Sequence, residues 1–319
     1  MRKFFSLAAR AIVTGLLLYF AFRLVDIEAM RDRLRNIDLN WLALGALALL
    51  VQAFLGAIRW EQIVVRCGSR LTLARSFRFT MIAAFFNQTL PSSVGGDAVR
   101  IWLVGKHANW RAAAYSVLLD RIVGVVALAC LVVICLPWTL TLVRDPAGHI
   151  ALLMIGFGSI AAGLIFIALG WNRFHFMQRW SLTRHLAAVA TIALQIQRTP
   201  SLLASIFGLS TMVHFLTVFA SWCAARSVGA NVSMIYLLFL ILPVILISVV
   251  PISIAGWGVR EGAMVTAFAY AGLPQSDGLI ISLLFGILSL LLGLVGGVVW
   301  TLSNDRADGT SVSPLPHSE

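Results

Sequence analysis

Pro91-Ser-Ser-Val-Gly-Gly-Asp-Ala-Val-Arg100 and Pro251-Ile-Ser-Ile-Ala-Gly-Trp-Gly-Val-Arg260 are two copies of one ten-residue pattern, 160 positions apart in a chain of 319 residues. Proline, serine, glycine, valine and arginine recur at identical spacing. An offset of half the chain marks an internal duplication. Each copy sits where hydropathy would place a membrane span. A broken, arginine-bearing element repeated inside a hydrophobic chain predicts a transporter-like architecture of two repeats, with a site where they meet.

The surrounding composition supports this. Hydrophobic residues make up 60% of the chain and charged residues 12%, about half the charged share of a soluble domain. Mean hydropathy is +0.93. The apolar runs are long and unalternating, which excludes an outer-membrane barrel pattern. Net charge is +11, and only Lys3 and Lys106 are lysines. Without a hydrophilic domain to hold nucleic acid, the basic excess reads as membrane topology and attraction to anionic lipid. Cys67, Cys130, Cys135 and Cys223 show neither a disulfide framework nor metal spacing, so they read as packing residues. No metal and no cofactor is expected. The N-terminal Arg2-Lys3 and the apolar run Ala11 to Phe22 resemble a signal peptide. No small-residue cleavage site follows, so a retained first span is expected.

Six runs are long enough to cross a bilayer, near 7–24, 41–58, 113–136, 149–170, 202–224 and 279–301. Two further regions hold the motifs. In 79–106 neither arm around the motif reaches across, so a re-entrant hairpin or an interfacial element is expected. In 232–273 a hairpin and two full spans both fit. The fold expected is therefore an all-α polytopic membrane protein with six transmembrane helices plus two re-entrant or broken-helix hairpins in an inverted repeat. One membrane domain covers 1–301, with repeat A about 1–140 and repeat B about 149–301. Residues 302–319 read as a disordered polar tail.

Basic residues give the direction. With the N-terminus in the cytoplasm, segments 1–10, 59–78, 106–111, 172–198 and the tail hold 15 of the 24 lysines and arginines. Outside segments hold six, and Arg100, Arg121 and Arg260 fall in or near the membrane. The bias predicts both termini inside. The first outside loop carries Ile27, Met30, Leu34 and Ile37 on one helical face, an amphipathic surface helix by pattern. Each repeat crosses three times, so the second is inserted upside down.

Each motif reads as a helix broken by proline, a small-residue turn and a new helix. Asp97 is a candidate N-cap for the second arm. Helix N-termini held at membrane depth attract anions, and Arg100 and Arg260 lie just inside them. The candidate substrate-binding residues are Arg100, Arg260, Asn87, Ser93, Ser253, Gly96 and Gly256. Candidates for coupling or gating are Asp97, Glu261, Asp120 and Arg121. The bland reading stands beside this one: Asp97 and Arg100 as a local ion pair, Arg260 and Glu261 reaching to an interface. Asp120 and Arg121 are adjacent and cannot face each other, so each needs another partner. Arg59 and Glu61, flanking Trp60, read as an interfacial anchor, and His214 as a hydrogen-bonded packing residue. Gly256-Trp-Gly258-Val-Arg-Glu-Gly262 lacks dinucleotide-loop spacing. No Walker lysine, HExxH or serine-elbow pattern occurs, and no catalytic residues are assigned.

The stretch Phe86-Asn-Gln-Thr-Leu-Pro91-Ser-Ser-Val-Gly-Gly-Asp97-Ala-Val-Arg100 resembles the first signature of the lysylphosphatidylglycerol synthase transmembrane-region, or flippase-like, family. Leu118-Leu-Asp120-Arg121-Ile-Val-Gly124 and Pro251-Ile-Ser-Ile-Ala-Gly-Trp-Gly258-Val-Arg260-Glu261 are similar to its later ones, and Arg59-Trp60 also matches. The similarity runs from residue 7 to about 300. The resemblance implies a bacterial inner-membrane protein that moves an anionic or phosphate-bearing lipid, of aminoacyl, hopanoid or polyprenyl type, between leaflets. A membrane lipid is the implied ligand, with lipid-biosynthetic enzymes as candidate partners and no nucleic acid. No oligomeric state is implied. The chain ends at Glu319 without the soluble synthase half of the multidomain relatives, so lysyl transfer is not expected. Two alternatives remain open: a membrane-embedded lipid-modifying enzyme, with Asp97 or Glu261 as acid or base, and a non-transporting partner in a lipid-biosynthetic complex.

Overall fold

A computed structural model of the chain describes residues 2–24, 31, 33–90, 94–106, 109–169, 181–249, 253 and 256–303. Among these residues eleven long helices follow one another without a strand. They are α1 (Arg2–Arg23), α2 (Leu39–Arg66), α3 (Leu73–Thr89), α4 (Gly95–Gly105), α5 (Trp110–Leu142), α6 (Pro146–Leu169), α7 (Ser181–Gln197), α8 (Pro200–Ser227), α9 (Met234–Ser248), α10 (Val259–Tyr270) and α11 (Gln275–Leu302).

Local signals start these helices. Asp38, Thr72, Asn109 and Ser233 each accept a hydrogen bond from a first-turn amide of α2, α3, α5 and α9, the usual stabilisation of a helix start. Pro200 lies in the first turn of α8, where its missing amide hydrogen costs nothing. Five helices are long and apolar enough to cross a bilayer: α2, α5, α6 (as Pro146–Phe166), α8 and α11. The sixth expected span, 7–24, coincides with the 22-residue α1. Exposed side chains such as Leu47 and Phe54 on α2, Met154 and Phe157 on α6, and Leu294 and Val298 on α11 form apolar faces suited to a lipid surround. The chain is a multi-pass, all-α membrane protein.

Both motif regions are helix pairs. Arms α3 and α4 have 17 and 11 residues, and arms α9 and α10 have 15 and 12. At 1.5 Å per residue these rise about 16–26 Å, short of the roughly 30 Å hydrocarbon core. The open choice for 232–273 is thereby decided in favour of a hairpin.

The order span, amphipathic segment, span, hairpin, span occurs twice, and the packing respects the exchange of units. Helix α2 packs on its counterpart α8, with Gly45 letting the backbones approach. The first arm of each hairpin packs on the last span of the other unit, α3 on α11 and α9 on α5. The second arm packs on the last span of its own unit, α4 on α5 and α10 on α11. The α3–α11 contact is backbone to backbone, because a Cβ on Gly296 would strike the Met81 carbonyl and one on Gly297 the Phe85 ring. The glycines of α11 serve close packing, as in other membrane helix pairs.

Three expectations need correction. The first outside loop is not simply a surface helix. Leu34 is exposed, but Ile37 packs on the core, and Arg33 Nη1 reaches Asp277 Oδ1 at 2.8 Å. Ile27 and Met30 lie outside the described residues. Trp60 is fully buried and Arg59 nine-tenths buried, so this pair is no interfacial anchor; α2 continues past it to Arg66. Asp97 does not cap α4. The helix starts two residues earlier, and Asn87 Oδ1 accepts from the Gly96 amide at 2.9 Å instead. Pro91, Ser93, Pro251 and the tail beyond 303 lie outside the described residues.

Candidate functional site

Hairpin one brings its charges against the two spans that flank it. Arg100, on α4, lies with its guanidinium 3.8 Å from the ring centroid of Trp60, a cation–π contact. Trp60 is held in turn by Nε1–H donating to Ser116 Oγ at 3.4 Å. Arg100 Nη2 binds Asp120 Oδ2 at 3.0 Å, and Arg59 Nε binds the other oxygen of Asp120 at 2.9 Å. Arg59 Nη1 also donates to Ser210 Oγ at 3.1 Å. On the other side Arg121 Nε donates to Asp97 Oδ2 at 2.6 Å, and Arg100 Nη1 stands 3.7 Å from Asp97 Oδ1. Ser210, Arg59, Asp120, Arg100, Asp97 and Arg121 thus form one chain of charge-assisted contacts across α8, α2, α5 and α4. Such pairs hold geometry more than they add stability, since desolvation offsets much of the attraction.

Hairpin two is organised differently. Glu261 is fully buried, accepting from the Gly258 amide at 2.6 Å through Oε2. Its Oε1 takes Arg260 Nη2 at 2.6 Å and the Ser282 hydroxyl at 3.0 Å. Arg260 Nε donates to Ser282 Oγ at 3.0 Å. A positive φ of 86° at Gly258 turns the chain into α10, and a Cβ there would press on Leu17 and the Thr14 carbonyl of α1; only glycine suits both demands. Gly286 of α11 makes room for the Arg260 and Trp257 side chains. Interfacial exposure of Arg260 and Glu261 is therefore excluded in this arrangement.

Both hairpins open on one cavity of about 490 Å³. Arg100 comes to it from the first hairpin and Arg260 from the second, joined by Arg59, Arg121 and Asp120. With Asp97 and Glu261 close behind, four cations face three anions, a net charge of +1. Arg121 is the most accessible, with 46% of its side chain exposed, against 10% for Arg100 and 15% for Arg260. Asp97 takes its Nε and leaves the outer Nη1/Nη2 fork without a partner among the described residues, the edge that binds phosphate or carboxylate in two prongs.

The other sequence-derived candidates distribute as follows. Asn87 and Gly256 line the cavity. Gly96 does not; it is pressed on the Ala83 carbonyl and on Asn87. Ser253 is buried away from it, Asp97 and Glu261 stand in the second row, and Ser93 lies outside the described residues. Asp120 and Arg121 do face different partners, as adjacency requires. His214 binds the Gly124 carbonyl at 3.0 Å from within the cavity wall. Arg59, Gln52, Ser210 and Ser289 belong to the same assembly but lie outside the duplicated motif. For Arg59 the resemblance of Arg59-Trp60 was the available signal; the others carry none.

A helical membrane protein with paired short hairpins around a cationic cavity is the class that this architecture defines. Residues 7–297 match the family model described as lysylphosphatidylglycerol synthase TM region. The chain belongs to that family, a family of membrane proteins concerned with lipid handling. No curated protein and no solved structure matches it.

Proposed function

We propose that the protein is a lipid flippase that moves an anionic, phosphate-bearing lipid between the leaflets of the bacterial inner membrane, and that it is a transporter rather than an enzyme. The observation that carries this reading is the convergence of Arg100 and Arg260, from opposite repeats, on one cavity. An ionised phosphate is strongly disfavoured in hydrocarbon unless fixed opposite charge replaces its water. Arg121 and Arg260 offer that replacement, while Arg59, Asp120 and Arg100 hold the wall in shape. The acyl or isoprenoid tails stay in lipid, and the two hairpins open the cavity in turn to either side.

In this reading both termini lie in the cytoplasm. Moving the buried Arg59 out of the loop count leaves 14 of 24 basic residues on the inner side against six outside, so the orientation bias persists.

The test is leaflet exchange of fluorescent phosphatidic acid in proteoliposomes. Arg121→Ala, at the half-exposed position, should slow exchange about tenfold or more while the protein stays folded, the loss of one charge-assisted pair being worth roughly 1.5–3 kcal/mol. Arg260→Lys keeps the charge, removes the fork and should also slow exchange. Wild-type exchange by a folded protein carrying both changes would overturn the reading. Turnover of lipid phosphate by the purified protein would make it an enzyme.

A further inference from the structure

Thr80 and Gln52 belong to no motif, yet each ends in an enclosed oxygen with no hydrogen-bond partner among the described residues, and the Nε of Arg100, in its nine-tenths-buried side chain, likewise has none. All three side chains line a second chamber of about 250 Å³ between α2, α3 and α11. It shares Gln52, Arg59, Arg100 and Asp120 with the main cavity, so the two adjoin. Its remaining walls are small or apolar, among them Ala53, Leu49 and Leu292. Gly56 enlarges it, since a Cβ there would meet nothing within 4 Å.

Enclosed polar atoms without partners carry an unrepaid desolvation cost, which a ligand of matching chemistry removes. Arg100 Nε can only donate, Gln52 Oε1 can only accept, and the Thr80 hydroxyl does both. A phosphate oxygen would satisfy the arginine but not the glutamine. An ammonium group would satisfy the glutamine but not the arginine, and Asp120 is already engaged by two guanidinium groups. A hydroxyl both donates and accepts. We infer that the chamber holds a neutral, hydroxyl-bearing part of the headgroup, a sugar or polyol esterified to the phosphate that Arg121 and Arg260 hold next door. The inference rests on the lipid reading proposed above. It assigns the protein to lipids whose phosphate carries a hydroxyl-rich sugar or polyol, ahead of aminoacylated ones, which keep fewer free hydroxyls.

The experiment measures affinities of the purified full chain in detergent for dioctanoyl phosphatidic acid, phosphatidylinositol and lysyl-phosphatidylglycerol. Phosphatidylinositol should bind about tenfold tighter than phosphatidic acid, the equivalent of one or two added hydrogen bonds. Thr80→Val should lose most of that difference and leave phosphatidic acid binding unchanged. Gly56→Leu, which puts an apolar side chain into the chamber, should abolish the difference. Equal wild-type affinities for phosphatidylinositol and phosphatidic acid would show that the chamber holds water only and overturn the inference. Lysyl-phosphatidylglycerol binding as tightly as phosphatidylinositol, or a difference that survives both variants, would do the same. If neither phosphatidic acid nor phosphatidylinositol binds, the lipid reading itself fails and this inference with it.

Discussion

Asp120→Asn separates a structural from a ligand-holding role for the buried arginines. Asp120 is 4% exposed and its two oxygens are divided between Arg59 and Arg100 at 2.9 and 3.0 Å. Asparagine keeps the shape, removes the charge and leaves two guanidinium groups facing a neutral amide. Removing one member of a buried ion pair costs about 3–5 kcal/mol. Arg100 retains Asp97 at 3.7 Å and the Trp60 ring, which places the expected loss near the lower end, about 3 kcal/mol. The net charge around the cavity rises from +1 to +2, so an anion in the cavity should gain affinity from the uncompensated guanidinium charge. The assay is thermal unfolding in detergent followed by tryptophan fluorescence, with and without dioctanoyl phosphatidic acid. The midpoint of the variant should fall by at least about 5 °C, and the lipid should raise it more than it raises the wild type. A second change, Arg59→Met, should restore part of the loss, a coupling of roughly 0.5–3 kcal/mol for groups in contact. A variant that unfolds with the wild type, or one that responds less to the lipid, would refute the reasoning.

Gly296→Leu should weaken the α3–α11 contact by about 1–3 kcal/mol through overpacking, read as a lower unfolding midpoint and loss of monodisperse elution. Asn87→Ala removes the acceptor of the Gly96 amide and should cost about 1 kcal/mol; Asn87→Asp, which keeps the acceptor, should restore it. Burial pushes the Cys67 thiol up to about 12, so it stays protonated well past pH 9. Since the thiolate is the reactive form, maleimide labelling at Cys67 should be negligible at pH 8 and rise only as the pH approaches 12 or the protein unfolds.

Much of the architecture was legible because it rests on length and periodicity. Apolar runs of about 20 residues, proline breaks and the 160-residue repeat are one-dimensional signals, and they located the spans and both hairpins. The second hairpin stayed ambiguous because Val232, before the helix, and Val249, after it, lengthen the apolar run without extending α9. Site residues were legible where the duplication marked them, as at Arg100 and Arg260. Arg59 was misread because a charge beside a tryptophan near a span end ordinarily anchors at an interface; only the packing of α2 on α8 and α5 turns it inward. The role of Asp97 was misread because helix starts shift by one or two residues, and a capping position then becomes one that reaches across to Arg121.

The charge arrangement of the hairpins has an electrical consequence. From Thr80 to Gly105 the first hairpin carries Asp97 and Arg100, and the arms of the second carry Arg260 and Glu261. Those two stretches are each neutral, while the surplus positive charge at the cavity belongs to Arg59, Asp120 and Arg121 on the framework spans. If these stretches move as the proposed gate, they carry no net charge through the field and add nothing to the voltage dependence of exchange. The headgroup does: one elementary charge crossing 100 mV exchanges about 2.3 kcal/mol. An inside-negative potential would therefore drive an anionic headgroup outward, and the steepness of exchange against voltage would count the charges on the lipid itself.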